Sequence, residues 1–364
     1  MVAIPYSVAD ISADWLRASV RPQDAEAFSN LTSVRAERLG EGVATTAEIH
    51  RLILGYAPGA KPGPAALVAK QPSASPEARE VARGWSTYRR EVLFYREIAA
   101  TVALRIPKAY VAEFDPQTER FVLVMEDLAT ARDGDQVAGL SLEQTRLALG
   151  EIATLHASWW GRPELVGLEA SIEPFGTGLW VGTGARHAAA WPGFETFVAE
   201  RASPELHRVG ERMAAAIEPM MVDMARRPRT LCHGDFRADN LMFAPGDGGA
   251  TLITIDWQAP MQARGAFDVG LLMSMSVTTA LRRAHEAALL RGYHDKLLAG
   301  GVESYGYDEF FHDYRRGLLI GFTYVVQAGP AVDMAHPRTE ALFGSAVRRL
   351  DAALHDHGLA EFVD

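Results

Sequence analysis

"LCHGDFRADNLMF", residues 231–243, gathers His233, Asp235, Arg237, Asp239 and Asn240 between two apolar flanks. A solvated turn needs no oily anchor on both sides. A loop that must hold polar groups in one geometry does. Asp235 and Asn240 stand five positions apart, and a second acid, Asp256, comes later in "LITIDWQ". The intervening "LMFAPGDGGATLITI" is two apolar stretches around a Gly-rich turn, which predicts a hairpin. That hairpin returns Asp256 to the vicinity of Asn240. Two oxygen ligands then face one hard cation, an arrangement suited to Mg²⁺ with substrate phosphates and water. Asp235 is left to accept a proton from a hydroxyl.

The chain has 364 residues, enough for two domains or one bilobal one. It carries 36 basic and 46 acidic side chains, a formal charge of −10. Nucleic-acid binders carry a basic excess, so no nucleic-acid partner is expected. Cys232 is the one cysteine, which excludes an internal disulfide and a cysteine cluster and fits a reducing cytoplasm. The start, "MVAIPYSVADISADWL", has no basic segment followed by an apolar run, so no signal peptide is expected. The longest uncharged stretch, residues 317–332, is shorter than the roughly 20 residues of a membrane helix and contains Gln327 and Pro330. No membrane partner is expected. Oligomeric state is not legible.

"EIHRLILGY" (48–56) and "AALVAKQP" (65–72) are short apolar runs around the Gly/Pro-rich "APGAKPGP", which predicts two strands joined as a hairpin. "SASPEARE" (73–80) breaks the pattern, and residues 84–102 have helical spacing. "KAYVAEFD" and "ERFVLVMEDL" predict two further strands with a turn at Asp115 and Pro116. Past Leu128 the character changes. "SLEQTRLALGEIATLHASWW" opens on Ser141 and Gln144, a capping-box pair, and most of the chain beyond it has helical spacing. The expected fold is α+β and bilobal: an antiparallel-sheet lobe at 1–128 and a mainly helical lobe at 129–364.

"HGDFRADN" followed by "IDW", with "EVLFYREI", "VLVMEDL" and "LHASWW" ahead of them in order, resembles the aminoglycoside phosphotransferase and choline kinase superfamily. Within it, the chain is most similar to the ecdysteroid-kinase-like (choline-kinase-like) branch. Protein kinases share the architecture with a different loop signature. The resemblance implies an ATP- and Mg²⁺-dependent phosphotransferase acting on a small-molecule hydroxyl. Asp235 would orient that hydroxyl, and Asn240 and Asp256 would ligate the metal. Lys70, ending "AALVAK", would hold the α- and β-phosphates, aimed by Glu91, with Glu97 the second candidate. Gly40, Gly42 and Thr45 would cover the phosphates through backbone N–H groups and a hydroxyl. The backbone from Glu126 to Leu128 would meet the base. Asp268 in "GAFDVGLL" would anchor the catalytic loop through its backbone.

Two readings stay open at several positions. Arg237 either meets the transferring phosphate or is a surface arginine. His233 is expected to bond the loop backbone, His156 to be a satisfied core histidine, and Asp239 to be solvated or a loop cap. Trp159, Trp160, Trp180, Trp191, Phe194 and Phe197 either line a pocket for a steroid-like or other hydrophobic alcohol or pack the core. An aminoglycoside or choline-type amino alcohol is the alternative acceptor. A protein kinase is disfavoured: Gly234 stands for the usual arginine and Trp257 for the usual phenylalanine. A catalytically silent nucleotide-binding module would lack one of Lys70, Asp235, Asn240 or Asp256, and all four are present.

Overall fold

The computed structural model describes residues 3–39, 46–246 and 249–364. The chain divides into two compact units, Met1–Thr101 with Ile106–Thr130 and Val102–Arg105 with Ala131–Asp364.

The first unit opens with helices α1 (Ala13–Ser19) and α2 (Ala25–Phe28). Ser12 caps α1, its hydroxyl accepting from Trp15 N at 3.1 Å. Five strands come next: β1 (Leu31–Leu39), β2 (Ala47–Tyr56), β3 (Ala66–Pro72), β4 (Ala109–Asp115) and β5 (Arg120–Glu126). They form one antiparallel sheet in the order β1-β2-β3-β5-β4. Alternation sorts the side chains. Leu52, Leu54, Leu67, Ala69, Val111, Val122 and Val124 pack on one face with Leu16 and Phe28 from the two helices. Lys70 and its neighbours occupy the other face. Strand β1 escaped the sequence pattern because only Leu31 of it is buried and the rest is a polar edge.

Between β3 and β4 run α3 (Pro76–Gly84) and α4 (Thr87–Leu93), which continues as a π turn over Phe94–Ile98 and a 3₁₀ turn over Ala99–Thr101. The expected break at "SASPEARE" is therefore a helix start. The Ser75 hydroxyl accepts from Ala78 N at 3.2 Å, and Pro76 sits where no N–H is needed. The expected helix over 84–102 is found as the continuous run Thr87–Thr101, separated from α3 at Trp85 and Ser86, where Ser86 adopts φ 49°.

The second unit contains β6 (Arg132–Asp133), α5 (Leu142–Trp159), α6 (Glu164–Gly167), α7 (Thr183–Ala199) and α8 (Pro204–Met224). Next come β7 (Thr230–Cys232), β8 (Leu241–Gly246), β9 (Gly249–Thr254) and β10 (Met261–Ala263). Helices α9 (Ala266–Met275), α10 (Thr279–Ala299), α11 (Tyr307–Ala328) and α12 (Pro337–His357) complete it. The Ser141–Gln144 capping box forms, with Gln144 N donating to the serine hydroxyl at 3.1 Å and Ser141 N to the glutamine carbonyl at 2.9 Å. All ten residues of α9 are buried, so this helix is an internal post. Strand β7 pairs with β10, while β8 and β9 form the expected hairpin, flanked by β6. Trp159, Trp180, Trp191 and Phe194 are buried, and Trp160 and Phe197 are half-buried. The first four therefore serve the core.

Candidate active site

The loop after β7 is pinned from below by α9. Asp268, fully buried, accepts from His233 N at 2.7 Å and from Gly234 N at 3.0 Å. These bonds satisfy two loop N–H groups that water cannot reach. Gly234 has φ 82°, and a Cβ there would collide with the carbonyl of Ala259, so the turn requires glycine. Behind Asp268 stands His156, its Nε2 3.2 Å from Asp268 Oδ2 and its Nδ1 2.7 Å from the Tyr293 hydroxyl. With Nε2–H directed at the carboxylate, Nδ1 accepts from the tyrosine.

His233 ties the loop to the hairpin. Its Nε2 lies 2.9 Å from the carbonyl of Ile255, which can only accept, so Nε2 is the protonated nitrogen. Nδ1 then accepts from Asp235 N at 3.2 Å. One imidazole thus links the backbone of Asp235 to the residue before Asp256. Ile255 N also donates to the Asn240 carbonyl at 3.0 Å, and Leu241 pairs with Thr254. The hairpin brings Asp256 beside the loop, as its spacing requires. Asp256 sits at φ 63°, a costly left-handed conformation for a non-glycine residue. Gln258 Nε2 donates to its Oδ2 at 3.0 Å.

Asp235, Asn240 and Arg237 form one cluster. Asn240 Nδ2 donates to the backbone carbonyl and to Oδ2 of Asp235, both at 2.8 Å. Arg237 Nε lies 3.0 Å and 3.1 Å from the two Asp235 oxygens, and its Nη1 donates to Gln136 Oε1 at 3.0 Å. Burial pushes the Asp235 carboxyl above its ordinary range; Arg237 opposes the shift and Asp256 adds to it. Asp239 caps the loop: it accepts from Gln136 N at 2.9 Å and pairs with Arg237 and Arg338, each at 3.5 Å.

His156, Cys232 and Asp268 lie close enough to share a metal ion. Their polar atoms are already committed. Asp268 serves the loop, His156 serves Asp268 and Tyr293, and the Cys232 thiol points at the Ala263 and Arg264 carbonyls at 3.7 Å. The cluster is a loop anchor.

In the first unit Lys70 Nζ lies 3.0 Å from Oε1 and 2.8 Å from Oε2 of Glu91. Both residues are buried, so the pair is shielded from competing water. Glu91, on α4, makes this contact; Glu97 lies in the π turn beyond it. Glu126 ends β5, its N–H donating to the Lys108 carbonyl at 2.9 Å and its carboxylate accepting from Lys108 N at 3.2 Å. Leu128, two residues on, is half-buried. Gly40, Gly42 and Thr45 lie outside the described residues. Sequence reasoning missed Gln136, Tyr293 and the Arg51–Asp127 ion pair, since each is a lone polar residue whose partner is distant in the chain.

The described geometry has counterparts. A Ralstonia eutropha protein with a provisional assignment as an aminoglycoside phosphotransferase superposes with TM-score 0.53 and 16% identity, covering 97% of this chain and 98% of its own. The ethanolamine kinase of Plasmodium vivax gives 0.52 and 11%, covering 91% and 83%. The choline kinase of Cryptosporidium parvum gives 0.51 and 9%, covering 95% and 96%. At such identities these likenesses establish the protein-kinase-like, bilobal α+β fold. No curated protein sequence matches significantly. Residues 44–159 and 181–306 match the ecdysteroid kinase-like family, and the chain belongs to it.

Proposed function

We propose that this protein transfers the γ-phosphoryl group of ATP to a hydroxyl of a small molecule. The observation that carries the reading is the assembly of Asp235, Asn240 and Asp256 at one loop and hairpin, in a member of a kinase-like family. A solved relative, the aminoglycoside phosphotransferase APH(2″)-IIIa, is known as a complex with GDP and kanamycin, which supports nucleotide use by this fold.

In this reading the acceptor oxygen bonds to the γ-phosphorus while the bond from that phosphorus to the β–γ bridging oxygen breaks. ADP leaves. Asp235 orients the acceptor hydroxyl and takes its proton late, because the transition state is loose. Lys70, aimed by Glu91, holds the α- and β-phosphates. Asn240 spends its Nδ2 on Asp235, so its amide oxygen is the ligand it has left. With the Asp256 carboxylate it makes an all-oxygen donor set that fits Mg²⁺. A Mg²⁺ held there would neutralise charge on the phosphates. Most of the rate enhancement then comes from alignment and fixed electrostatics.

The acceptor we favour is an uncharged, hydrophobic alcohol of steroid-like character. Three of the acids near the loop are already engaged by arginines: Asp235 by Arg237, Asp239 by Arg237 and Arg338, Asp135 by Arg338. An ammonium-bearing acceptor would have to displace these partners. The buried, unpaired Cys232 suits a reducing cytoplasm. The test is Mg²⁺-dependent ATP consumption by wild type and Asp235→Asn across a panel of uncharged alcohols and amino alcohols. Acceptor-stimulated turnover in wild type alone is expected. Equal turnover in both proteins for every acceptor overturns the reading.

A further inference from the structure

The sheet of the first unit presents an apolar strip beside Lys70. Register places Ile49, Lys70 and Leu123 in one row, and Arg51, Val68 and Met125 in the next, on the same face. The rows are about 7 Å apart, two residues along a strand. The opposite face is fully covered, with Leu52, Leu67 and Ala69 buried. On the Lys70 face Ile49, Ile53, Val68 and Met125 stay half-exposed. Within this apolar strip stands one arginine. Arg51 Nε lies 2.8 Å from Asp127 Oδ2, and Nη2 donates to Oδ1 at 3.3 Å. The pair reaches from β2 to the residue after β5, across the β3 row that holds Val68.

An isolated half-exposed ion pair contributes only about 0–1 kcal/mol, so stability alone is a weak reason for this placement. A planar guanidinium, weakly hydrated and held by a carboxylate, is a good surface for an aromatic ring. The next step rests on the kinase reading. A nucleotide whose phosphates meet Lys70 sets its base one ribose away, in the row of Val68 and Arg51.

We propose that Arg51 is a nucleobase-binding residue, its guanidinium fixed by Asp127 and packed against the purine ring. Arg51 then contributes to affinity through the base and contributes nothing through the phosphates. Asp127 is the positioning residue of the pair.

The experiment is calorimetric titration of the full chain with ADP and, separately, with inorganic tripolyphosphate, both in Mg²⁺. Proteins are wild type, Arg51→Ala and Arg51→Lys, each checked for an unchanged thermal midpoint. Both variants are expected to bind ADP about tenfold more weakly, since neither alanine nor the compact lysine ammonium offers the planar face that stacks on a ring. Tripolyphosphate affinity is expected to stay at the wild-type value. Unchanged ADP affinity in Arg51→Ala overturns the proposal. So does a parallel loss of ADP and tripolyphosphate, which would mark a general structural role, and so does full affinity in Arg51→Lys, which would make charge alone sufficient. Wild-type protein that binds no nucleotide overturns the kinase reading itself, a result distinct from the other three.

Discussion

Asn240 clasps Asp235 twice through one amide nitrogen, which donates to the aspartate's backbone carbonyl and to its Oδ2, each at 2.8 Å. The amide does what a carboxylate cannot. In Asn240→Asp the donor becomes an acceptor facing another carboxylate. Both bonds are lost and like charges meet inside a part-buried cluster. We expect turnover to fall by about 10²-fold or more, with a higher Mg²⁺ requirement, as a misaligned reacting group costs on that order. Steady-state rates across a Mg²⁺ titration check this. Wild-type turnover in the variant would show that the clasp is dispensable.

Asp235 must be ionised to take a proton, and burial raises its pKa above the ordinary 3.8. Turnover should therefore decline, as pH falls, through a value above that figure. Arg237 is the main charge holding the shift down. Arg237→Met should move the acid limb to higher pH. Stability runs the other way. With its folded pKa raised, Asp235 binds its proton more tightly in the native state, so its contribution is lost as pH rises through the window between unfolded and folded values. Asp235→Asn should then be as stable as wild type or more so at neutral pH. A pH–rate profile and urea unfolding at two pH values read both effects.

The Lys70–Glu91 pair is buried, with oxygen contacts at 2.8 and 3.0 Å. Removing Glu91 takes from the buried Lys70 the carboxylate that makes both of these contacts. Glu91→Leu should destabilise the protein by about 3–5 kcal/mol, whereas the double replacement Lys70→Met with Glu91→Leu should recover much of that loss. Nucleotide turnover should vanish in both. Chemical denaturation separates the cases. Equal stability of the single and double variants would contradict the loss of this ion pair as the cause.

Local sequence carried a good part of this arrangement. The spacing of Asp235, Asn240 and Asp256 announced the hairpin, because two apolar runs around a Gly-rich turn have one cheap way to bury themselves. His156 was also legible, since a polar residue on an apolar helix face needs partners, whereas the anchoring role of Asp268 came from the family resemblance alone. Arg51–Asp127, Gln136–Arg237 and His156–Tyr293 were not, for each joins residues between 76 and 137 positions apart. Nothing local marks such a pair; tertiary packing alone creates it. Helix α3 was missed for a different reason. "SASPEARE" carries the Ser-Pro chemistry of a helix start, and that chemistry overlaps with the signals of a turn.

Cys232 is fully buried, and burial pushes its thiol well above the usual range. The thiolate is the reactive form, so the native protein should resist an aromatic disulfide reagent at neutral pH. The unfolded chain should release one equivalent per chain, matching its one cysteine. Rapid labelling of the native state would mean that the β7–β10 pairing around Cys232 opens readily.

Asp268 offers the last test, because its role is to hold a loop it does not chemically serve. Its two oxygens receive the N–H groups of His233 and Gly234 at 2.7 and 3.0 Å, and His156 faces Oδ2 at 3.2 Å. Every approaching group is a donor. In Asp268→Asn one oxygen becomes an NH₂, which must point its own hydrogens at a donor whichever way the amide turns. At least one buried N–H loses its acceptor, a cost of about 1–3 kcal/mol. The displaced loop carries Asp235, so turnover should fall together with stability, while Lys70 and Glu91, in the other unit, are untouched. Affinity for ADP without Mg²⁺ should therefore survive. Urea unfolding, turnover and ADP titration on the same preparation read the three effects. Loss of stability with full turnover would mean that the loop keeps its geometry without this anchor.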